Sequence, residues 1–243
     1  MHLYLIRHGQ SLVNVADGAD RYRDDGLTEL GRRQAEAVAG RLADDLDSVD
    51  ALYASTMRRA TETASYLGAA LGMPVMPDDR IREMGNNRLD HTPWPELPTD
   101  RGDFWPPSRP FASVTPAVER GESSMHFRTR VGAFVEDMVE RHAGRNVVAV
   151  THWGVIDMVF DHLFNVGAWR PCHVTVDHTA VTHIEALDVT PDDPALAHVG
   201  PERWRLHRHN DASHLYRLRA VAPVPADGTS ASTTATDDGS PRI

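Results

Sequence analysis

The sequence predicts an α/β protein: a three-layer α/β/α sandwich around a mostly parallel central sheet. Two patterns and one size argument lead there. Short strand-like apolar runs alternate with segments whose apolar residues recur at helical spacing, the βαβα rhythm of a sheet covered by helices on both faces. Asn146–Val150 is a continuous apolar run of the type buried on both faces of a parallel sheet. With 243 residues and 41% hydrophobic content, the chain suits one domain with a full core.

His2–Ile6 is the first strand, short and rich in strand formers. Thr28 is a candidate cap for a helix reaching about Leu46, because Ala35, Val38, Ala39, Leu42 and Leu46 share one helical face. Ala51–Tyr53 forms a second short strand. Ala60, Ala64, Leu67 and Leu71 then mark a helix that ends near Gly72 and Pro74. Residues 85–122 break the rhythm: seven prolines (93, 95, 98, 106, 107, 110 and 116) fall there, together with Trp94, Phe104 and Trp105. Such a long irregular excursion suits a functional lid, and its aromatics favour partial packing over a linker. Phe127, Val131, Phe134, Val135, Met138 and Val139 resume the helical period. After the Asn146–Val150 strand a helix is expected from about Val155 to Phe164. Val174–Val176, Ala180–Glu185 and Arg203–His207 read as late strands, antiparallel at a sheet edge. The folded domain is expected over 1–219, with 220–243 a disordered tail too poor in large apolar residues to offset its ordering entropy.

Composition narrows the function. Lys and Arg total 25 against 35 Asp and Glu, so the formal charge is 25 − 35 = −10. An acidic surface repels nucleic acid and anionic lipid, so neither is an expected partner. It repels phosphorylated molecules too, and a site for them must bring its own positive charge. The single cysteine, Cys172, forms no intramolecular disulfide, so folding needs no oxidising compartment. Met1 leads directly into a strand-like run rather than a signal sequence, and no apolar run reaches the ~18–20 residues of a membrane span. The expectation is a cytoplasmic protein. A homodimer is allowed for, and nothing in the sequence sets the oligomeric state.

Two strand ends carry the chemistry. The first strand runs into Arg7-His8-Gly9-Gln10-Ser11, and Val147–Thr151 runs into His152-Trp153-Gly154. Ligands of open α/β sheets bind beyond the carboxyl ends of strands, and parallel neighbours would bring His8 and His152 to one edge. A neutral imidazole is a competent nucleophile near neutral pH, where a lysine is protonated. A phosphoryl group in flight spreads negative charge over its equatorial oxygens, which fixed cations stabilise. Arg7 and Arg58, the latter just beyond the Ala51–Tyr53 strand, are placed to do so, and the guanidinium fork matches phosphate geometry. His152, if protonated, is another donor.

Several segments in order resemble the histidine phosphatase superfamily, in its phosphoglycerate-mutase-like branch. They are Leu5-Ile6-Arg7-His8-Gly9-Gln10-Ser11-Leu12-Val13-Asn14, Leu27-Thr28-Glu29-Leu30-Gly31-Arg32-Arg33-Gln34-Ala35, and Tyr53-Ala54-Ser55-Thr56-Met57-Arg58-Arg59-Ala60-Thr61-Glu62-Thr63-Ala64. Ile81-Arg82-Glu83-Met84, Gly121-Glu122-Ser123 and Val148-Ala149-Val150-Thr151-His152-Trp153-Gly154 complete the series. The resemblance runs from Leu3 to about Leu218. It implies that His8 becomes a phosphohistidine that water hydrolyses, and that Arg7, Arg58 and His152 form the phosphate pocket with Asn14 a further donor. It also implies that Glu83 protonates the leaving alcohol and then activates the water, with no metal and no cofactor required.

The stretch after Glu83 reads Met84-Gly85-Asn86-Asn87-Arg88-Leu89-Asp90, where many relatives carry Gly-x-x-Trp-Glu-Gly, so the 85–122 segment is expected to be specialised. The Glu-Arg-x-Tyr-Gly segment that marks the glycolytic mutases does not occur. The expected activity is therefore hydrolysis of a small phosphorylated metabolite, with a mutase-type isomerase as the alternative and a non-catalytic phospho-ligand-binding protein disfavoured. Other features take plainer readings. His173, His178 and His183 step by five, which in strands points to alternating faces rather than one metal site. Arg32, Arg33 and Arg59 read as solvated helix charges, and Arg208–Leu215 as a structural closing segment.

Overall fold

A computed structural model describes residues 1–16, 24–84, 122–167, 173–188, 202–216 and 218. Among them, a six-stranded mixed sheet lies between two helical layers. In chain order the elements are β1 (His2–Arg7), α1 (Leu12–Val15), α2 (Glu29–Asp45), β2 (Ala51–Ala54), α3 (Arg58–Leu71), β3 (Met76–Pro77), α4 (Ser124–Arg141), β4 (Asn146–Thr151), α5 (Trp153–Leu163), β5 (Val181–Asp188) and β6 (Glu202–Asp211). Single 3₁₀ turns cover Asp79–Ile81 and Ser213–Leu215. The strand order is β3-β2-β4-β1-β5-β6. The first four of these run parallel, and β5 and β6 join antiparallel.

The predicted layers follow from strand alternation. Leu3, Leu5, Val147 and Ala149 face α4 and α5, where they pack with Val131, Phe134, Val155 and Val159. Tyr4, Ile6, Leu52, Val148 and Val150 point to the other face and meet Val38, Leu42, Ala60, Ala64 and Leu67 of α2 and α3. Both faces of β1 and β4 are thus buried, which is why those strands read as unbroken apolar runs.

The helix signals also correspond to structure. Thr28 caps α2, its side chain accepting the Gly31 amide. Gly72 ends α3 in the left-handed conformation at φ 64°. Ser123 caps α4 in a capping box with His126. Three expectations need correction. Val174–Val176 is extended but joins no ladder; its carbonyls are used by side chains, Val174 by the Trp153 indole and Val176 by Arg7. The last two strands run longer than the patterns suggested, because pairing with a neighbour extends them past their apolar residues. The one-turn α1 and the two-residue β3 were not anticipated, being too short to carry a period. The expected 85–122 excursion and the 220–243 tail lie outside the described residues, apart from Glu122. No helix among the described residues is long and apolar enough to cross a membrane.

Candidate active site

The parallel register of β1 and β4 pairs Arg7 with Thr151, so the next residue on each strand, His8 and His152, emerges at the same sheet edge. The His8 amide still donates to the Thr151 carbonyl at 2.8 Å. The two imidazole centroids are 5.2 Å apart, and both rings are buried. The sequence-level pairing of these two histidines is what the structure contains.

His8 is held in one tautomer. Its Nδ1–H donates to the Gly9 carbonyl at 2.7 Å, while its Nε2 accepts from Nε of Arg59 at 3.1 Å. The lone pair therefore sits on Nε2, facing a cation. Burial above all, then the charges of Arg59 and Arg7, push the His8 pKa well below the ordinary histidine range, with the Gly9 hydrogen bond opposing. The ring is neutral at pH 7. This loop leaves no room for side chains: a Cβ on Gly9 would stand 2.5 Å from the Gly31 carbonyl oxygen at the start of α2. The Gly9 amide is held by Thr63 Oγ1 at 3.0 Å, which ties the His8 loop to α3.

The second arginine is not the one the sequence reading chose. Arg58 is 61% exposed at its side chain and pairs along the helix with Glu62 at 2.8 Å. Arg59 is 6% exposed. Besides His8 it meets Asp24, with Nη1 at 3.3 Å from Oδ1. Helical phase explains the exchange: Ala60, Ala64 and Leu67 define the buried stripe of α3, and at ~100° per residue Arg58 falls almost opposite it while Arg59 lies on its flank above Thr63. Arg59 is thus no solvated helix charge, and the signal that could have found it was that phase.

Arg7 donates to the Val176 carbonyl at 2.5 Å. Burial lowers its pKa from the ordinary value, and the Glu83 carboxylate opposes this from nearby. Its Nε is buried with no hydrogen-bond partner among the described residues, and so is Nδ1 of His152. His152 Nε2 lies 2.8 Å from Ser55 Oγ, at the end of β2. Burial, followed by Arg59 and His8, drives the His152 pKa well below its ordinary range, so the protonated donor envisaged from sequence is replaced by a neutral ring. A neutral imidazole still offers one N–H.

Glu83 reaches the same edge. Gly154, in the first turn of α5, donates its amide to Glu83 Oε2 at 3.1 Å, and the Met84 amide donates to Oε1 at 2.9 Å. Gly154 is required by the approach, because a Cβ there would collide with the carboxylate. The segment before Glu83 is clamped by Arg130, which sequence reasoning missed. Its guanidinium donates to the carbonyls of Arg80 and Arg82 at 2.7 Å each and of Glu83 at 3.2 Å. It also pairs with the buried Glu122 at 2.5 Å. Arg130 thereby joins the residues on either side of 85–121. Thr151 Oγ1 adds a 2.8 Å bond to the Ile81 carbonyl.

Asn14 is exposed, and its bonds all run to Oδ1, from the Ser11 amide and hydroxyl and from Nε2 of His178. His178, weighed in the sequence only as a metal ligand, has its ring 5.7 Å from that of His8. Burial and Arg7 push its pKa down to about 3. The five-residue histidine series is dispersed, and of the three only His183 lies in a strand. His173 bonds Asp157 at 2.8 Å, and His183 lies with His2 on the sheet. Among the described residues, the one grouping of three metal-type donors is His2, His183 and His207, away from this edge.

The parallel-sheet edge thus brings together an imidazole lone pair facing a guanidinium, a second buried arginine and a carboxylate. The chain belongs to the histidine phosphatase superfamily, branch 1, whose family model matches residues 3–200. The probable phosphoglycerate mutase GpmB of Yersinia pestis (strain Pestoides F) is 25% identical over 215 residues, covering 88% of this chain and 95% of that protein. A mycobacterial glucosyl-3-phosphoglycerate phosphatase solved with VO3 is 27% identical, covering 86% of this chain and 99% of its own at a TM-score of 0.62. YhfR of Bacillus stearothermophilus is 28% identical, covering 88% and 98%, with a TM-score of 0.64. The phosphoglycerate-mutase-like fold class read from the sequence is thus the fold of these neighbours.

Proposed function

We propose that this chain is a phosphomonoesterase that hydrolyses a small phosphorylated metabolite through a phosphohistidine on His8. The observation that carries this reading is the fixed tautomer of His8, a neutral ring whose Nε2 lone pair accepts from Arg59. In the first step Nε2 attacks phosphorus, forming the P–N bond as the P–O bond to the alcohol breaks. As the substrate binds, Arg59 trades its bond to Nε2 for the phosphoryl oxygens, which frees the lone pair to attack, and Arg7 and an N–H of His152 supply further donors. Glu83 serves as the general acid, delivering a proton to the leaving oxygen. In the second step the resulting carboxylate takes a proton from water, which attacks phosphorus and breaks the P–N bond. Inorganic phosphate leaves and His8 returns neutral. Asn14 lies at the rim and contributes through its amide nitrogen.

The mutase alternative has one observation in its favour, the name borne by the GpmB relative. In an isomerase the phosphohistidine is returned to the bound molecule instead of to water. Phosphate release from a panel of phosphorylated metabolites, run beside 2-/3-phosphoglycerate exchange primed with the bisphosphate, separates the two. Net release with an acid-labile, alkali-stable phosphoenzyme is the expected result, and exchange without release overturns it.

Glu83→Gln discriminates by leaving group. Turnover of an alkyl phosphate is expected to fall by about 10²–10⁴, the usual contribution of a general acid. An activated aryl phosphate, whose leaving group needs no proton, loses far less in the attack step. Equal loss on both substrates would assign Glu83 to binding instead.

A further inference from the structure

At the opposite end of β1 from His8, three histidines converge on the sheet face that packs toward α2, with Glu185 beside them. His2 and Tyr4 lie on one face of β1, and the antiparallel register sets His2 against Glu185 and Tyr4 against His183. His2 Nδ1 is 3.0 Å from His183 Nε2. His207 Nε2 donates to Glu185 Oε2 at 2.7 Å, and His2 Nε2 is 4.0 Å from Glu185 Oε1. One ring nitrogen from each of the three histidines lies within 4.8 Å of the others.

The ladder between β5 and β6 is irregular where His207 lies. Ile184 pairs with Leu206 and His183 with Arg208, so His207 is the additional residue of a bulge in β6. A bulge re-aims one side chain at the cost of a ladder position. The His207 ring stacks on His183, with centroids 4.4 Å apart, and Tyr4 also stacks on His183 at 4.2 Å. The central ring is thereby fixed, and the outer ligands remain partly accessible to an ion from solvent.

We propose that His2, His183, His207 and Glu185 form a binding site for one Zn²⁺-class divalent transition ion, tying β1, β5 and β6 together. Three imidazole nitrogens, joined by a Glu185 oxygen once its side chain turns from the far nitrogen of His2, make a four-ligand set of the tetrahedral, structural type. The nitrogen-rich set selects Zn²⁺, Cu²⁺ or Ni²⁺ over Mg²⁺ and Ca²⁺. Ring nitrogens bound to one tetrahedral Zn²⁺ at ~2.0–2.1 Å would stand ~3.3–3.4 Å apart, so the His2–His183 pair needs only a small adjustment. Arg205, whose Nη1 is 3.2 Å from Glu185 Oε2, is the resident cation that the ion must outcompete. The site is six residues along β1 from His8, ~20 Å at strand rise, so it is independent of the phosphoryl chemistry.

The test uses the full chain after chelator treatment and dialysis. Calorimetric titration with Zn²⁺ is expected to show one ion per chain and a rise in Tm. Co²⁺ is expected to give the intense visible bands of four-coordination. His207→Ala and Glu185→Gln change exposed or half-buried positions and should keep the metal-free Tm and phosphatase rate of the parent. Each should weaken Zn²⁺ binding by about 100-fold or more and abolish the Co²⁺ bands. Unchanged affinity in both variants, or weak six-coordinate Co²⁺ spectra in the parent, assigns any bound ion to other histidines and overturns the site.

Discussion

His8→Ala is expected to lower turnover of any phosphate monoester by on the order of 10⁶, the scale on which covalent enzymes lose rate when the nucleophile is deleted. It should also abolish the trapped phosphoenzyme. Uncatalysed monoester hydrolysis is so slow that the residual rate will sit near background. Hydrolysis at the parental rate in His8→Ala would remove His8 from the mechanism entirely. The same substitution carries a stability signature. The native protein keeps His8 neutral, whereas the unfolded chain protonates it around the ordinary value of about 6.5. The unfolded state therefore binds more protons in acid, and native stability falls as pH drops through that value. The loss of stability between about pH 8 and about pH 5 should be shallower in His8→Ala, measured by denaturant midpoint at each pH.

Arg59→Ala is expected to cost about 10²–10³ in kcat/KM, the loss seen when one fixed donor to transition-state charge is removed. Arg59→Lys should recover only part of this, because an ammonium cannot span two phosphoryl oxygens as the planar fork does. Arg58→Ala is the decisive companion. Its side chain is in solvent and, among the described residues, paired with Glu62, so kcat/KM should stay at the parental value. If Arg58→Ala fails and Arg59→Ala does not, the guanidinium facing His8 Nε2 is structural and the phosphoryl group is held elsewhere.

That one-residue difference marks where sequence reading stops. The two histidines were legible because each follows an unambiguous apolar strand, and parallel pairing then leaves them little freedom. Glu83 was found through a short segment in a known order, though what holds it in place was hidden. Gly154 and Arg130 lie 71 and 47 residues from the atoms of Glu83 that they bind, and no local pattern announces such contacts. Arg58 and Arg59 are adjacent, so composition and spacing cannot separate them; only their phase on α3 does, once Ala60, Ala64 and Leu67 are known to be the buried stripe. The histidines of β5 and β6 are a harder case. A period-two strand would have given His207 and His183 an ordinary pairing, and the bulge at His207 has no signature in the run Arg203–His207. Short elements were lost for a simpler reason. A four-residue helix and a two-residue strand contain less than one repeat of any hydrophobic pattern, and tertiary contacts alone stabilise them.

The place of β1 in the sheet has a consequence for how the molecule comes into being. It is an interior strand, yet both of its neighbours, β4 and β5, lie far later in the chain: His2 pairs with Asn146 on one side and Glu185 on the other. During synthesis β1 emerges with two unpaired edges and apolar side chains on both faces, and must wait for most of the polypeptide before either edge is closed. Pairings of such large sequence separation fold slowly and leave sticky intermediates exposed. His8 and His152 come together only as β4 docks, so a product truncated before β4 lacks the pair and is prone to aggregate. The edges of β1 are closed only when both β4 and β5, from far along the chain, have docked against it.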